Sequence, residues 1–378
     1  MATLLSIGSV MTYFLYILIA LGILLFLVMV HEFGHYTAGK LLGFKIDEFS
    51  IGFGPKIFQK KKKNGELFSL RAIPLGGYCA FDGEDLDSNS PTAFNNQKPW
   101  KRLIVLVSGV LFNFLTAVIF SFILLTCFGY EKVEVKHIDS NSFNYSEYVT
   151  IDGDYYGLRE GDMIYGIDGV EFDFVTNDYF NKLALEHINS AEFKTYEQDG
   201  AVRGTIPMNV RRDGKYIIVD VVVEQVMDGE DESWVFAHDK ELQLTSYKSS
   251  FTEALGECWT FSFRWCHKIF IILGDLFTGG VPIKDLGGPV TTIKVMADTT
   301  SQDWSFIFIL IPVIAVNLAV FNILPIPSLD GARGIFVIIE WIRRKPINRD
   351  LEGKIHMFGL FALLGLVVVV DILHFILW

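Results

Sequence analysis

From Tyr13 to Val30 the chain has 18 consecutive apolar or aromatic residues without a charge. As a helix this run is about 27 Å long, against a bilayer hydrocarbon core of about 30 Å. In hydrocarbon the backbone can satisfy its polar groups only internally, so the run is expected to be a spanning helix. Residues 1–12 carry no basic n-region and no small-residue cleavage site follows, which argues against a removed signal peptide. The run passes directly into His31-Glu32-Phe33-Gly34-His35. Residues four apart on a helix share a face, so both imidazoles can reach one metal ion, and Glu32 lies within reach of a water on that metal. An accidental pair of satisfied histidines is the alternative, but ionisable groups at a bilayer edge are costly unless they are used. The pattern therefore points to a zinc peptidase with His31 just inside one membrane face.

Charge divides the rest of the chain. Residues 131–250 hold 25 Asp and Glu against 11 Lys and Arg, a net of −14, while the whole chain carries −12, so the remainder sums to +2. The acidic block reads as a water-exposed domain and the remainder, in a chain 51% hydrophobic, as mostly membrane. No basic surface suited to nucleic acid is visible. Cys79, Cys127, Cys258 and Cys266 have no CxxC spacing and read as unpaired fillers.

Taken in order, the expected divisions are a first transmembrane helix with the histidine motif (1–36), a loop containing β structure (37–102), a second transmembrane helix (103–130), the acidic domain with a linker at 227–250 (131–250), an interfacial helix and connection (251–302), a third transmembrane helix (303–332), a basic segment (333–355) and a fourth transmembrane helix (356–378). Lys60 to Lys63, Arg343, Arg344, Lys345 and Arg349 mark the cytoplasmic side. Ile46–Gly54 and Leu67–Phe81 read as strands whose glycines suit an ordinary turn or an edge where a substrate pairs as an added strand. Asn113 is a buried polar group expected to bond a neighbouring helix. Gly157 to Val170 reads as a turn, a strand and an Asp-Gly hairpin, and Val210 to Val223 as a second hairpin. One helix is expected near Asn177 to Ile188. Phe251 to Gly279 is read as interfacial, because a span there would carry Asp330 to the face opposite His31. Asp330 follows two prolines that break the third helix at membrane depth, where irregular backbone must line a cavity or be buried, which makes it a good third ligand. Asp371 and His374 read as a snorkelling pair.

Gly157-Leu158-Arg159-Glu160-Gly161-Asp162-Met163-Ile164-Tyr165-Gly166-Ile167-Asp168-Gly169-Val170 resembles the signature of bacterial PDZ domains. With His31 to His35, Ile73-Pro74-Leu75-Gly76-Gly77-Tyr78, Asn322-Ile323-Leu324-Pro325-Ile326-Pro327 and Leu329-Asp330-Gly331, nearly the whole chain resembles the bacterial, RseP-like branch of the site-2 proteases, with one PDZ signature. That resemblance implies about four transmembrane helices, a membrane-reentrant β element on the cytoplasmic side and an extracytoplasmic α+β PDZ domain. It implies zinc on His31, His35 and Asp330, Glu32 as catalytic acid and base, and Asn322 steadying the substrate backbone or the oxyanion. It also implies an inner-membrane enzyme with its active site near the cytoplasmic face, cutting single-pass membrane proteins such as trimmed anti-sigma factors or signal-peptide remnants, with an upstream site-1 protease acting on the same substrate. The family usually has glycine where Ala332 stands. Two other classes compete: a non-catalytic membrane receptor whose PDZ domain binds peptide termini, which has no use for an intact Glu32, and a metal transporter, which needs ionisable residues along a path rather than at one face.

Overall fold

The computed structural model describes residues 7–84, 89–129, 133–138, 150–151, 154–171, 188, 195–198, 200–228, 231–236, 242–279 and 287–377. They form two compact units, one of residues 1–121 with 257–378 and one of 122–256. The helix expected near Asn177 to Ile188 lies almost wholly outside the described residues.

In the first unit, α1 (Ile7–Leu42) runs unbroken through the apolar stretch, the histidine motif and nearly two further turns past residue 36. Gly43 ends it in the left-handed conformation at φ 79°. There Phe44 N–H donates to Gly39 C=O and Gly43 N–H to Lys40 C=O, satisfying the last carbonyls. α2 (Pro99–Ile123) starts four residues before the expected span, with proline at the position where its missing N–H costs nothing. It ends in a π turn, Leu124–Phe128, capped by left-handed Gly129. Further helices are α3 (Phe251–Thr278), α4 (Pro289–Gln302), α5 (Ile307–Ile323), α6 (Asp330–Arg343) and α7 (Arg349–Leu377). Among the described residues, four helical stretches are long and apolar enough to cross a membrane: Met11–Leu42, Pro99–Phe128, Trp304–Ile323 and Arg349–His374. α3 is not one of them. A membrane protein of four such helices with additional β structure matches the expected fold class.

β1 (Ile46–Lys61) and β2 (Leu67–Phe81) fill the loop between α1 and α2. They fold back so that Phe49 has partners on both sides, Cys79 and Phe68, and Ser50 likewise has Tyr78 and Ser69. Gly52 and Gly54 permit the irregularity, with φ of 82° and 80°; a Cβ at Gly52 would lie 2.7 Å from the Ile73 carbonyl oxygen. Glu66 pins the base of this element. Its carboxylate pairs with Lys40 at the end of α1 and, at 2.6 Å, with Lys62. Burial opposes its ionisation, but the hydrogen bonds from Lys40, Lys62 and Asn64 outweigh that and hold it down at about 2.

The second unit is an antiparallel-rich sheet over a core that includes Val135, Ile164, Ile167, Ile206, Met208, Val219 and Val221. Its strands are β3 (Val133–Ile138), β4 (Thr150–Ile151), β5 (Asp154–Tyr156), β6 (Met163–Ile167), β7 (Val170–Glu171), β8 (Thr195–Gln198), β9 (Ala201–Arg212), β10 (Lys215–Asp228), β11 (Asp231–Phe236) and β12 (Leu242–Ser246). The two expected Asp-Gly hairpins join β6 to β7 and β9 to β10, with positive φ at Asp168, Gly169, Asp213 and Gly214. Asp162 of the PDZ-like signature is buried and receives two hydrogen bonds from Arg212, at 2.8 and 2.6 Å, and one from the Arg159 N–H at 2.8 Å.

Two expectations need correction, the linker at 227–250 and the snorkelling of Asp371. The stretch 227–250 is not simply a linker: β11 pairs with β10 and β12 with β3, because Trp234 to Phe236 and Leu242 to Leu244 have strand-forming side chains among the acids. The basic segment 333–355 is mostly helix, since α6 runs straight on from Asp330 and α7 begins at Arg349. Asp371 does not snorkel. It is buried and accepts hydrogen bonds from the N–H groups of Val290 and Thr291 and from Thr291 Oγ1, so it caps the first turn of α4 from another helix.

Candidate active site

His31 and His35 stand one above the other on α1 and are both buried. Their Nε2 atoms are 3.1 Å apart. Asp330, the first residue of α6, brings Oδ2 to 2.9 Å from His31 Nε2 and 3.2 Å from His35 Nε2. It reaches them because α5 stops at Ile323 and Pro325 to Leu329 turn the chain back; Leu329 N–H closes that turn on Ile326 C=O. Gly331 is obligatory there, as a Cβ would lie 2.3 Å from the carbonyl oxygens of Ile323 and Leu324. Ala332, which replaces the usual second glycine, is simply buried on α6.

Three donors thus converge, two imidazole nitrogens and one carboxylate oxygen, all within 4.8 Å of one another. Ligand atoms at the corners of a zinc tetrahedron with bonds of about 2.0–2.1 Å stand about 3.3 Å apart. The observed spacings of 2.9 to 3.2 Å fit that set, and the three protein donors found among the described residues match the ligand count of a catalytic rather than a structural site.

Each imidazole is held from behind. His35 Nδ1 lies 2.8 Å from the Val105 carbonyl oxygen, so Nδ1 carries the proton and Nε2 keeps a lone pair for the metal. His31 Nδ1 lies 3.3 Å from the Asn113 amide, whose Oδ1 has no other protein partner. Turning that amide over presents Oδ1 to the His31 Nδ1–H, giving the same tautomer. Asn113 therefore bonds a neighbouring helix, as expected, and the helix is the one that bears the motif. The close fit depends on two glycines. A Cβ on Gly34 would lie 2.5 Å from the Ser108 carbonyl oxygen, and one on Gly109 would lie 2.6 Å from both His31 Cε1 and His35 Nε2. Small residues at 108 and 109 let the two helices approach closely, and Gly109 also makes room for the imidazoles.

Glu32 is adjacent, and its Oε2 accepts the Cys79 N–H of β2 at 2.9 Å. Cys79 has Phe49 as its strand partner and, among the described residues, no strand pairs with the other side of that stretch, so its N–H lies on an outer edge of β2. His31, Glu32, Asn113, Leu318, Asn322, Ser328, Leu329 and Asp330 line a cavity of about 220 Å³. Asn322 contributes a side chain to it while its Nδ2 donates to Leu318 C=O at 2.9 Å. All five expected site residues therefore meet. Val105, Asn113 and the Cys79 N–H complete the site. Of these only Asn113 left a trace in the sequence, as an amide inside an apolar helix.

Comparison with known proteins agrees with this geometry. The model of peptidase family M50 matches residues 18–366. A protein of Clostridium perfringens provisionally described as a zinc metalloprotease is 30% identical over 359 residues, covering 95% of this chain and 98% of the relative. Proteins of Fusobacterium nucleatum and Nostoc with the same description are each 28% identical, covering 95% and 93% of this chain and 97% and 93% of the relative. The chain belongs to peptidase family M50, the membrane zinc metalloproteases of site-2 type.

Proposed function

We propose that the chain hydrolyses peptide bonds within transmembrane segments of single-pass proteins, using zinc held by His31, His35 and Asp330. The observation that carries this reading is the convergence of those three donors beside a cavity that His31, Asp330 and Glu32 line. Held by those residues, zinc would supply Lewis acidity and make an attacking water more acidic. Glu32 takes the proton of the attacking water and delivers it to the leaving amine. Its bond from Cys79 N–H steadies one carboxylate oxygen and leaves the other for that exchange. A helical substrate hides its carbonyls and must be unwound. The free edge of β2 beside Glu32 is suited to hold the unwound stretch as an added strand. The second N–H of Asn322 is available to the developing oxyanion, a role in which losing one donor typically costs about 10²- to 10³-fold.

The basic residues at 60–63 and 343–349 support a cytoplasmic location for the site in a bacterial inner membrane. The Gly157 to Val170 signature and its two hairpins support a PDZ-like, extracytoplasmic identity for the second unit. A folded insert of about 120 residues, roughly 13 Å in radius of gyration, suits a filter that refuses substrates with large outer domains until a site-1 protease has trimmed them. Trimmed anti-sigma factors and signal-peptide remnants have the required form. The receptor alternative loses to Glu32, which a binding module does not need.

The test is cleavage of a trimmed single-span substrate by purified protein in lipid, with the cut located by mass spectrometry. A cut inside the span, abolished by a chelator and restored by zinc, is expected. A cut outside it, or one indifferent to the chelator, overturns the reading.

A further inference from the structure

Asp330 is the only one of the three donors not set by helix periodicity. It depends on the turn from Pro325 to Leu329, and within that turn Ser328 holds φ at +83°. Apart from glycine, residues resist that left-handed conformation because Cβ crowds the backbone, so something must stabilise it. α7 does so at two points one turn apart. His356 Nδ1 accepts the Ser328 N–H at 2.9 Å, which places the ring proton on Nε2. Gly359 lies so close that a Cβ there would be 2.2 Å from Pro327 Cβ and 2.7 Å from the Pro327 carbonyl oxygen. Phe336 of α6 packs edge-on against the same imidazole at 5.5 Å, which restricts its rotation.

We infer that His356 is a positioning residue for the metal site: from the fourth membrane helix it clamps Ser328 in its left-handed conformation and so delivers the Asp330 carboxylate to His31 and His35. The inference rests on the zinc reading of those three residues. It gives α7 a part in the site although it supplies no ligand.

The consequences are specific. Losing an outer-shell partner typically weakens metal binding 10- to 100-fold. In the full-length protein, His356→Ala is expected to raise the zinc dissociation constant about tenfold or more, read by competition with a chromophoric chelator. His356→Asn should recover most of the affinity, because its Oδ1 can accept the Ser328 N–H, and His356→Leu should not. The decisive variant is Ser328→Gly in the His356→Ala background. Glycine adopts positive φ without penalty, so the clamp becomes dispensable and zinc affinity should return. If His356→Ala alone cannot be purified, the double variant should be, with zinc bound. Unchanged zinc affinity in His356→Ala overturns the inference. So does a loss that neither His356→Asn nor Ser328→Gly repairs, since His356 would then only pack α7. Asp330→Ala separates this from the underlying reading. If it binds zinc normally, the ligand assignment fails; if it loses zinc while His356→Ala does not, only the clamp fails.

Discussion

At the residue scale, the histidine pair was legible because helix period alone puts residues 31 and 35 on one face. Asp330 was legible because two prolines at membrane depth demand a purpose. The supports were less so. A backbone carbonyl at Val105 and a backbone N–H at Cys79 have no sequence signature; they become functional only when α2 and β2 pack beside α1. Gly109 illustrates the gap. A glycine inside an apolar helix has no signature of its own in sequence, whereas its missing side chain is what leaves room for both imidazoles. Gly109→Ala is therefore expected to reduce zinc affinity and cleavage by about 10- to 100-fold, on the scale of lost outer-shell support. Gly365→Ala on α7, where an added Cβ meets nothing within 4 Å, should leave both near wild type. Zinc content and initial rates of the two variants, measured side by side, check this.

At the element scale, the strands at 46–54 and 67–81 were expected, but their depth of attachment was not. Glu66 joins the start of β2 to Lys40 at the end of α1, so the β element is tied to the motif helix by a buried carboxylate. Glu66 is depressed from 4.5 to about 2. A depressed carboxylate adds stability that is fully present above its unfolded value and lost as pH falls through its folded value. Glu66→Gln should thus lower the melting temperature of detergent-solubilised protein at pH 7. The difference from wild type should hold down to about pH 4.5 and then shrink toward pH 2. A difference that persists unchanged at pH 2 would mean that Glu66 contributes shape rather than charge. The strands at 231–236 and 242–246 escaped the sequence because acidic neighbours masked them. Asp371 escaped because helix capping by a distant helix is a tertiary event.

At the scale of the whole molecule, hydropathy made the four apolar helices plain, and charge made the acidic unit plain. Topology across the membrane is open to direct test. Cysteines introduced at Lys62 and Arg344 should be labelled only from the cytoplasmic side and one at Asp228 only from outside. Labelling of Lys62 and Arg344 from opposite faces would mean that α3 spans. Control of access belongs to this scale as well. Removing residues 135–245 should allow cleavage of an untrimmed substrate that the intact protein refuses, provided the shortened protein still inserts and binds zinc. Continued refusal, by a shortened enzyme that still cuts the trimmed substrate, would remove the filter and leave the zinc chemistry standing.

The central claim is a division of labour in which His31, His35 and Asp330 hold zinc while Glu32, which accepts the Cys79 N–H, moves the proton. It is tested most directly by measuring bound zinc and cleavage of one trimmed substrate in wild type, Glu32→Gln and Asp330→Ala. Glu32→Gln should retain about one zinc per chain and show no detectable cleavage, since proton transfer by a positioned group is itself worth about 10²- to 10⁴-fold. Asp330→Ala should lose both zinc and cleavage. Near-normal turnover by Glu32→Gln, or full zinc occupancy in Asp330→Ala, would contradict it.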